Sequence, residues 1–273
     1  MTRRHISFAC AGETLVGTID MADATTGLLI VTGGNELRSG PFGSHAELAD
    51  KISTTGFPVL RFDRRGVGDS SGANATFADS ADDIAAALLA FRTHLPKLKR
   101  VAAYGNCDAA SALMLASGAG CDALVLANPW TFEPEPEPEP EATVKAQPAE
   151  PAMPPAAIRA HYLRRLLDLS AWRRLLSGKV EVGKLAGSLA AAVAPPAPPS
   201  SLAQQMAVGL AQFEGSAAIL IAEHDRTAQA FVSHWDKADT RLRKCPGAGH
   251  SFAEPQARIW LQGQILGALR GLG

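Results

Sequence analysis

The sequence predicts an α/β fold: a mostly parallel central sheet with helices on both faces, interrupted by a helical, Pro-rich lid insert. Three observations carry that expectation. Short apolar runs of strand character alternate with helix-spaced amphipathic runs through the first half of the chain. The alternation breaks at Pro129, gives way to a Glu-Pro repeat and a basic, leucine-rich stretch, and resumes near the C-terminus. With 273 residues, 47% of them hydrophobic and 19% charged, the chain can bury one large core.

The elements follow in order. Residues 5–10 and 14–20 read as two strands joined by a turn at Ala11-Gly12. Residues 27–32 form a short apolar run ending in Gly33-Gly34, as a buried central strand does. A helix is expected over residues 44–55, stopped by Gly56, and a strand over 58–63. Residues 79–94 place Ile84, Leu88, Leu89 and Phe91 at helical spacing before Pro96. A strand over 101–104, a small-residue helix over 109–116 and a strand over 123–127 complete this half. Residues 133–141 then alternate Glu and Pro strictly, which suits a solvated, polyproline-like excursion and no core. Residues 158–176 read as a helix mixing Leu163, Leu166, Leu167, Trp172 and Leu175 with five arginines. After the second Pro-rich patch, 195–199, a strand (217–222), helix (228–237), strand (240–245) and helix (256–272) are expected. The division is therefore a core of residues 1–129 and 206–273 and an insert of 130–205.

Charge and cysteine usage exclude several classes. Lys and Arg number 26 against 27 Asp and Glu, so no basic surface for nucleic acid is expected. The cysteines, Cys10, Cys107, Cys121 and Cys245, form no CxxC pair, which excludes the usual zinc and dithiol spacings and argues against a disulfide framework. His224 beside Asp225 has no second ligand pair at metal spacing, so neither metal nor cofactor is expected. No apolar run approaches the roughly 18 residues of a spanning helix, and residues 1–10 do not read as a signal peptide. The expectation is a cytoplasmic protein; the sequence does not set its oligomeric state.

The chemistry concentrates at Gly105-Asn106-Cys107-Asp108-Ala109, between an expected strand and an expected helix. A nucleophile on a sharp strand-to-helix turn needs small neighbours, hence the G-x-S-x-G pattern; here Cys stands for Ser and Ala109 for the last Gly. The turn puts the sulfur at a helix N-terminus, which favours thiolate, and aims the Asp108 N–H at a developing oxyanion. Read alone, Cys107 is as readily a small buried residue at a βα junction. Cys245-Pro246-Gly247-Ala248-Gly249-His250-Ser251-Phe252 supplies a His on a Gly-rich loop after the last strand, suited to a general base. Ile219-Leu220-Ile221-Ala222-Glu223-His224-Asp225 ends a strand in a carboxylate that can orient it; Asp225 is chosen, with Glu223 and Asp236 as alternatives. The order Cys107, Asp225, His250 is the nucleophile–acid–base order of one hydrolase fold.

The second oxyanion donor is expected from Thr32-Gly33-Gly34-Asn35, with Asn35 first and Gly34 next. The run from Arg61 to Gly72, with Asp63 and Arg64, is read as a supporting loop, since it lacks the GxxxxGK[ST] phosphate pattern. Trp130, Leu166 and Trp172 are candidates for the wall of a substrate pocket, against the plainer reading that the apolar face of the insert helix only docks on the core. The same basic amphipathic stretch also admits contact with a membrane surface or a partner.

On the elbow, the Asp63-to-Gly72 loop and the His250 loop, the chain resembles the α/β-hydrolase superfamily. It is more closely similar to the exosortase-system-associated hydrolases of bacteria, through Gly33-Gly34 with Arg38, Gly43-Ser44-His45, the Cys at the elbow, Tyr162-Leu163-Arg164-Arg165-Leu166-Leu167, and the stretch from Trp172 to Val180. The resemblance implies an α/β-hydrolase fold with a Cys nucleophile, and the Glu-Pro tract departs from it. A thiol nucleophile implies a thioester acyl-enzyme, which can pass its acyl group to water or to another acceptor. The expected activity is hydrolysis of small-molecule esters or thioesters. The alternatives are acyl transfer from a coenzyme-A or carrier thioester to an alcohol or sugar, and a non-catalytic scaffold that binds a ligand or partner.

Overall fold

The computed structural model describes residues 2–74, 76–132 and 201–273. Leu166, Trp172, the Glu-Pro tract and the basic amphipathic stretch lie outside them. An eight-stranded sheet organises the rest, in the order β1-β2-β4-β3-β5-β6-β7-β8. The strands are β1 (Arg3–Cys10), β2 (Glu13–Asp20), β3 (Thr26–Val31), β4 (Val59–Phe62), β5 (Arg100–Asn106), β6 (Ala123–Ala127), β7 (Ser216–Ala222) and β8 (Leu242–Cys245). The β1–β2 and β2–β4 pairs are antiparallel and all later pairs parallel. Cys10 pairs with Glu13, so the opening hairpin turns on two residues, Ala11 at φ 49° and Gly12 at φ 85°, the primed geometry that matches strand twist.

Helices cover both faces: α1 (Ser44–Thr54), α2 (Ala81–His94), α3 (Asp108–Leu115), α4 (Ser201–Ala211), α5 (Arg226–His234) and α6 (Pro255–Arg270). Alternation along each strand divides the core. Leu29, Val31, Val101 and Ala103 join Leu88, Phe91, Leu113 and Met206 on one face. Leu28, Ile30, Ala102 and Tyr104 join Ile52, Leu261 and Ile265 on the other.

Helix α4 is an element that the sequence reading lacks. Its Leu202, Met206 and Leu210, at a spacing of four, are buried. It lies against the end of α3 so closely that a Cβ on Gly209 would stand 2.1 Å from the Met114 carbonyl oxygen.

Topology decides where a site can form. From β3 the chain crosses to β4 on one side and then to β5 on the other. The loops after β3 and β5 therefore part at a switch point, where α/β sheets open a crevice at the carboxyl ends of their strands. Val31 pairs with Gly105, Asn106 with Ala127 and Ala222 with Cys245, so the loops after β3, β5, β6, β7 and β8 emerge along one edge.

Candidate active site

Cys107 sits at the turn from β5 into α3 with φ 61° and ψ −127°, a region non-glycine residues rarely occupy. The turn is held from both sides: the Cys107 N–H donates to the Ala127 carbonyl at 2.9 Å, and its carbonyl accepts from Ala110 at 3.1 Å. Gly105 is demanded by this close approach, because a Cβ there would meet the Ala109 carbonyl carbon at 2.8 Å. Ala109, Ala110 and Ala112 are buried against the sheet. Sequence positions expected to be small are small for a packing reason.

His250 reaches the elbow from the loop after β8. Its Nδ1 lies 3.1 Å from Asp225 Oδ2, and the Cys107 thiol is the second group that raises its pKa. Asp225 is fixed by its second duty as N-cap of α5, where its carboxylate accepts from the Thr227 N–H (3.3 Å) and the Ala228 N–H (3.0 Å). The bond from Asp225, then the bond to Cys107, push His250 up to about 10, outweighing the opposing effect of burial. That is the electrostatics of an imidazolium held between two acceptors. Burial pushes Cys10 up to about 11 and Cys121 up to about 12, and also raises Cys245.

Asn128, which the sequence reading passes over, ties these parts together. Its Nδ2 donates to the His250 carbonyl (2.9 Å) and to Asn106 Oδ1 (3.1 Å), while its Oδ1 accepts from the Ala222 N–H (2.8 Å). Asn106 Nδ2 also donates to the His250 carbonyl at 3.2 Å. One fully buried amide thus sets the ends of β5, β6, β7 and the His250 loop in register. It occupies φ 44°, which Asn tolerates better than most residues, and the Asn128-Pro129 dipeptide is the turn signal that marks it. Trp130 follows, its N–H donating to Ser111 Oγ at 2.8 Å and to the Cys107 carbonyl at 3.3 Å.

The loop after β3 brings Gly34 to the elbow. Its N–H donates to the Asp108 carboxylate, at 2.9 Å to Oδ1 and 2.7 Å to Oδ2. The Asn35 side-chain oxygen accepts from Asn74 Nδ2. Arg64 donates to the Gly34 carbonyl and, at 2.8 Å, to Ser80 Oγ. Asp63, fully buried, accepts from the Arg38 N–H at 2.6 Å, from the Arg38 guanidinium and from the Asp69 N–H at 3.2 Å. Both residues of the supporting loop therefore brace the loop after β3. Glu36 is pushed up by burial first and by Asp108 next, with His250 pulling the other way.

Two clefts lie by the residues around the elbow. One of about 530 Å³ runs past Gly34, Arg64, Phe77, Asp108 and Leu202. The other, about 200 Å³, lies by His250 and is lined by Glu36, His45, Tyr104, Asn106 and Phe252. Among the described residues no helix is long and apolar enough to cross a membrane.

A crevice at the switch point, with a strained elbow and a His–Asp pair facing it, belongs to one class of enzyme, and the comparisons agree. The chain is a member of the α/β-hydrolase family, whose model, described as "Alpha/beta hydrolase family", matches residues 29–259. Esterases are among the solved structures whose fold it shares. An esterase of Pyrococcus furiosus superposes with TM-score 0.62 at 12% identity, covering 98% of this chain and 90% of that one. Est1E of Butyrivibrio proteoclasticus, solved with ferulic acid bound, gives 0.59 at 14% identity over 97% and 99%. The α/β-hydrolase GrgF of a Penicillium gives 0.58 at 16% identity over 99% and 100%. No curated protein matches the chain.

Proposed function

We propose that the protein hydrolyses small-molecule esters or thioesters through Cys107, with His250 as general base and acid and Asp225 orienting it. The observation that carries this reading is the His250–Asp225 pair at 3.1 Å together with Cys107 on the strained turn from β5 into α3. His250 takes the Cys107 proton, and the sulfur attacks the acyl carbon and forms the C–S bond. The proton held by His250 passes to the departing alkoxide or thiolate as its bond to the acyl carbon breaks. Water, deprotonated by His250, then attacks the thioester, releasing the acid and restoring the thiol. Ester substrates are favoured by the likeness to esterases, one of them solved with ferulic acid bound. Membership of the exosortase-associated group is proposed on the sequence resemblance, and residues 130–205 are proposed as a lid insert on the break in the α/β pattern at Pro129.

A second reading, transfer of the acyl group to an alcohol or sugar, is favoured by the separate cleft beside His250, with Glu36 and Asn106 in its wall. The test uses p-nitrophenyl esters and acyl thioesters of several chain lengths, with and without an added alcohol. Turnover should fall at least about a thousandfold in Cys107→Ala, and a trapped acyl group should appear on Cys107 by intact mass. Full turnover in Cys107→Ala overturns the reading. Ester product formed from the added alcohol in excess of acid selects transfer over hydrolysis.

A further inference from the structure

The Gly34 N–H, one of the two oxyanion donors expected from the loop after β3, is already bonded. Both Asp108 carboxylate oxygens accept it, at 2.9 and 2.7 Å. The arrangement is built rather than incidental to one side chain. Gly33 leaves the room for it, since a Cβ there would lie 2.3 Å from Asp108 Oδ1. Arg64, 3% exposed, donates to the Gly34 carbonyl and so fixes the loop carrying that N–H. Its Nε is buried with no acceptor among the described residues, which leaves a cation with spare capacity beside the carboxylate.

A carboxylate presents to an N–H what a developing oxyanion presents: negative charge on oxygen at hydrogen-bonding distance. A ground-state ester carbonyl is a weaker acceptor and does not displace it by hydrogen bonding alone. A new oxyanion formed beside a fixed carboxylate is also repelled. We propose that the Asp108 side chain plugs the oxyanion hole, so that acylation of Cys107 requires it to leave Gly34. Asp108 is then a specificity-determining residue. It favours acyl donors activated enough to react with the Asp108 N–H alone, such as aryl esters and thioesters, and disfavours simple alkyl esters. This rests on Cys107 being the nucleophile.

The experiment compares two reactions of Cys107 in the full-length protein, Asp108→Ala and Asp108→Asn, each checked for folding by thermal melting. p-Nitrophenyl acetate acylates the sulfur through an oxyanion. Iodoacetamide alkylates it by displacement without one, and so reports thiolate availability alone. Because loss of one oxyanion donor costs about 10²–10³ in rate, freeing one should be visible. Asp108→Ala should raise acylation about tenfold or more while alkylation changes less than about threefold. Asp108→Asn, which keeps an acceptor oxygen but no charge, should fall between and carries the test if the alanine variant does not fold. The ratio of p-nitrophenyl acetate to ethyl acetate turnover should narrow in both. Acylation that is unchanged or slower in a folded variant overturns the proposal. So does acylation that rises only in step with alkylation, since the carboxylate would then act through the thiolate. A Cys107→Ala protein that still turns over ester would instead sink the nucleophile assignment, a separate and distinguishable failure.

Discussion

The two flanks of Cys107 are in different states of readiness. On the His250 side the polar groups are already in the places that proton transfer needs. Asp225 is locked by α5, His250 is held at both ring edges, and Asn128 clamps the carbonyl of the same residue. On the Gly34 side the donor that would meet the substrate is bonded to the protein's own carboxylate. On the proposed reading, preorganisation on one side and occupancy on the other hold acyl transfer back until the Asp108 carboxylate leaves Gly34.

Asp225→Asn tests the prepared flank most severely. Asn can still accept from the N–H groups of α5, so the helix keeps much of its cap, at a cost of about 1 kcal/mol or less. Next to His250, however, the amide no longer supplies the negative charge that holds the proton and tautomer. A loss of about 10³–10⁴ in kcat/KM is expected with the melting temperature little changed. Retention of a tenth of the activity would show that Asp225 caps a helix and does little more.

How much of this was legible in the sequence depends on whether the constraint is local. The elbow is readable because strain and crowding act within five residues, leaving Gly105 and Ala109 small. The strands read correctly because alternation and apolar runs are set by burial on the two faces. Asn128 did not, since its partners lie 22, 94 and 122 positions away and an Asn before Pro reads simply as a turn. The Asp108 carboxylate was hidden for another reason: the elbow motif constrains that residue's N–H and says nothing about its side chain. Helix α4 carries a readable Leu202-Met206-Leu210 spacing, but it directly follows the Pro-rich run that obscured it.

Asn128→Gly comes next in size. Glycine keeps the positive φ at no cost, so only the hydrogen bonds are lost, and the Ala222 N–H is left buried without its acceptor. Stability should fall by about 1–3 kcal/mol. Because the His250 carbonyl loses its stronger tether, kcat/KM should drop about ten- to a hundredfold in protein still fully folded at the assay temperature. Unchanged kcat/KM in such protein would mean that the His250 loop is positioned by Asp225 and Asn106 alone.

Gly33→Ala probes the occupied flank without touching the carboxylate. The new methyl would stand 2.3 Å from Asp108 Oδ1, the free end of a side chain, and 3.2 Å from the Asn106 carbonyl oxygen. The carboxylate is what can move. A rise of about three- to tenfold in the acylation burst with p-nitrophenyl acetate is expected, smaller than for Asp108→Ala because the charge remains nearby. A slower burst would indicate that the methyl blocks the hole more than it clears it, and the two flanks would no longer be separable by this route.

The smallest effect is a pH dependence that belongs to the prepared flank alone. His250 rises from 6.5 to about 10 on folding, so protonation favours the folded state. The stabilisation is complete below about pH 6.5 and is lost as pH climbs through 10. Since the imidazole is 44% exposed, solvent screening reduces it to about 1 kcal/mol, or about 2–4 °C in melting temperature. The melting-temperature gap between the protein and His250→Gln should thus be widest near pH 6 and close by pH 10.5. In Cys107→Ala, where Asp225 is the remaining partner, the gap should close at lower pH, because the second-largest cause of the raised value has been removed. A gap that stays constant from pH 5.5 to 10.5 would mean no held proton between Cys107 and Asp225, and the contrast between the two sides of the sulfur would disappear.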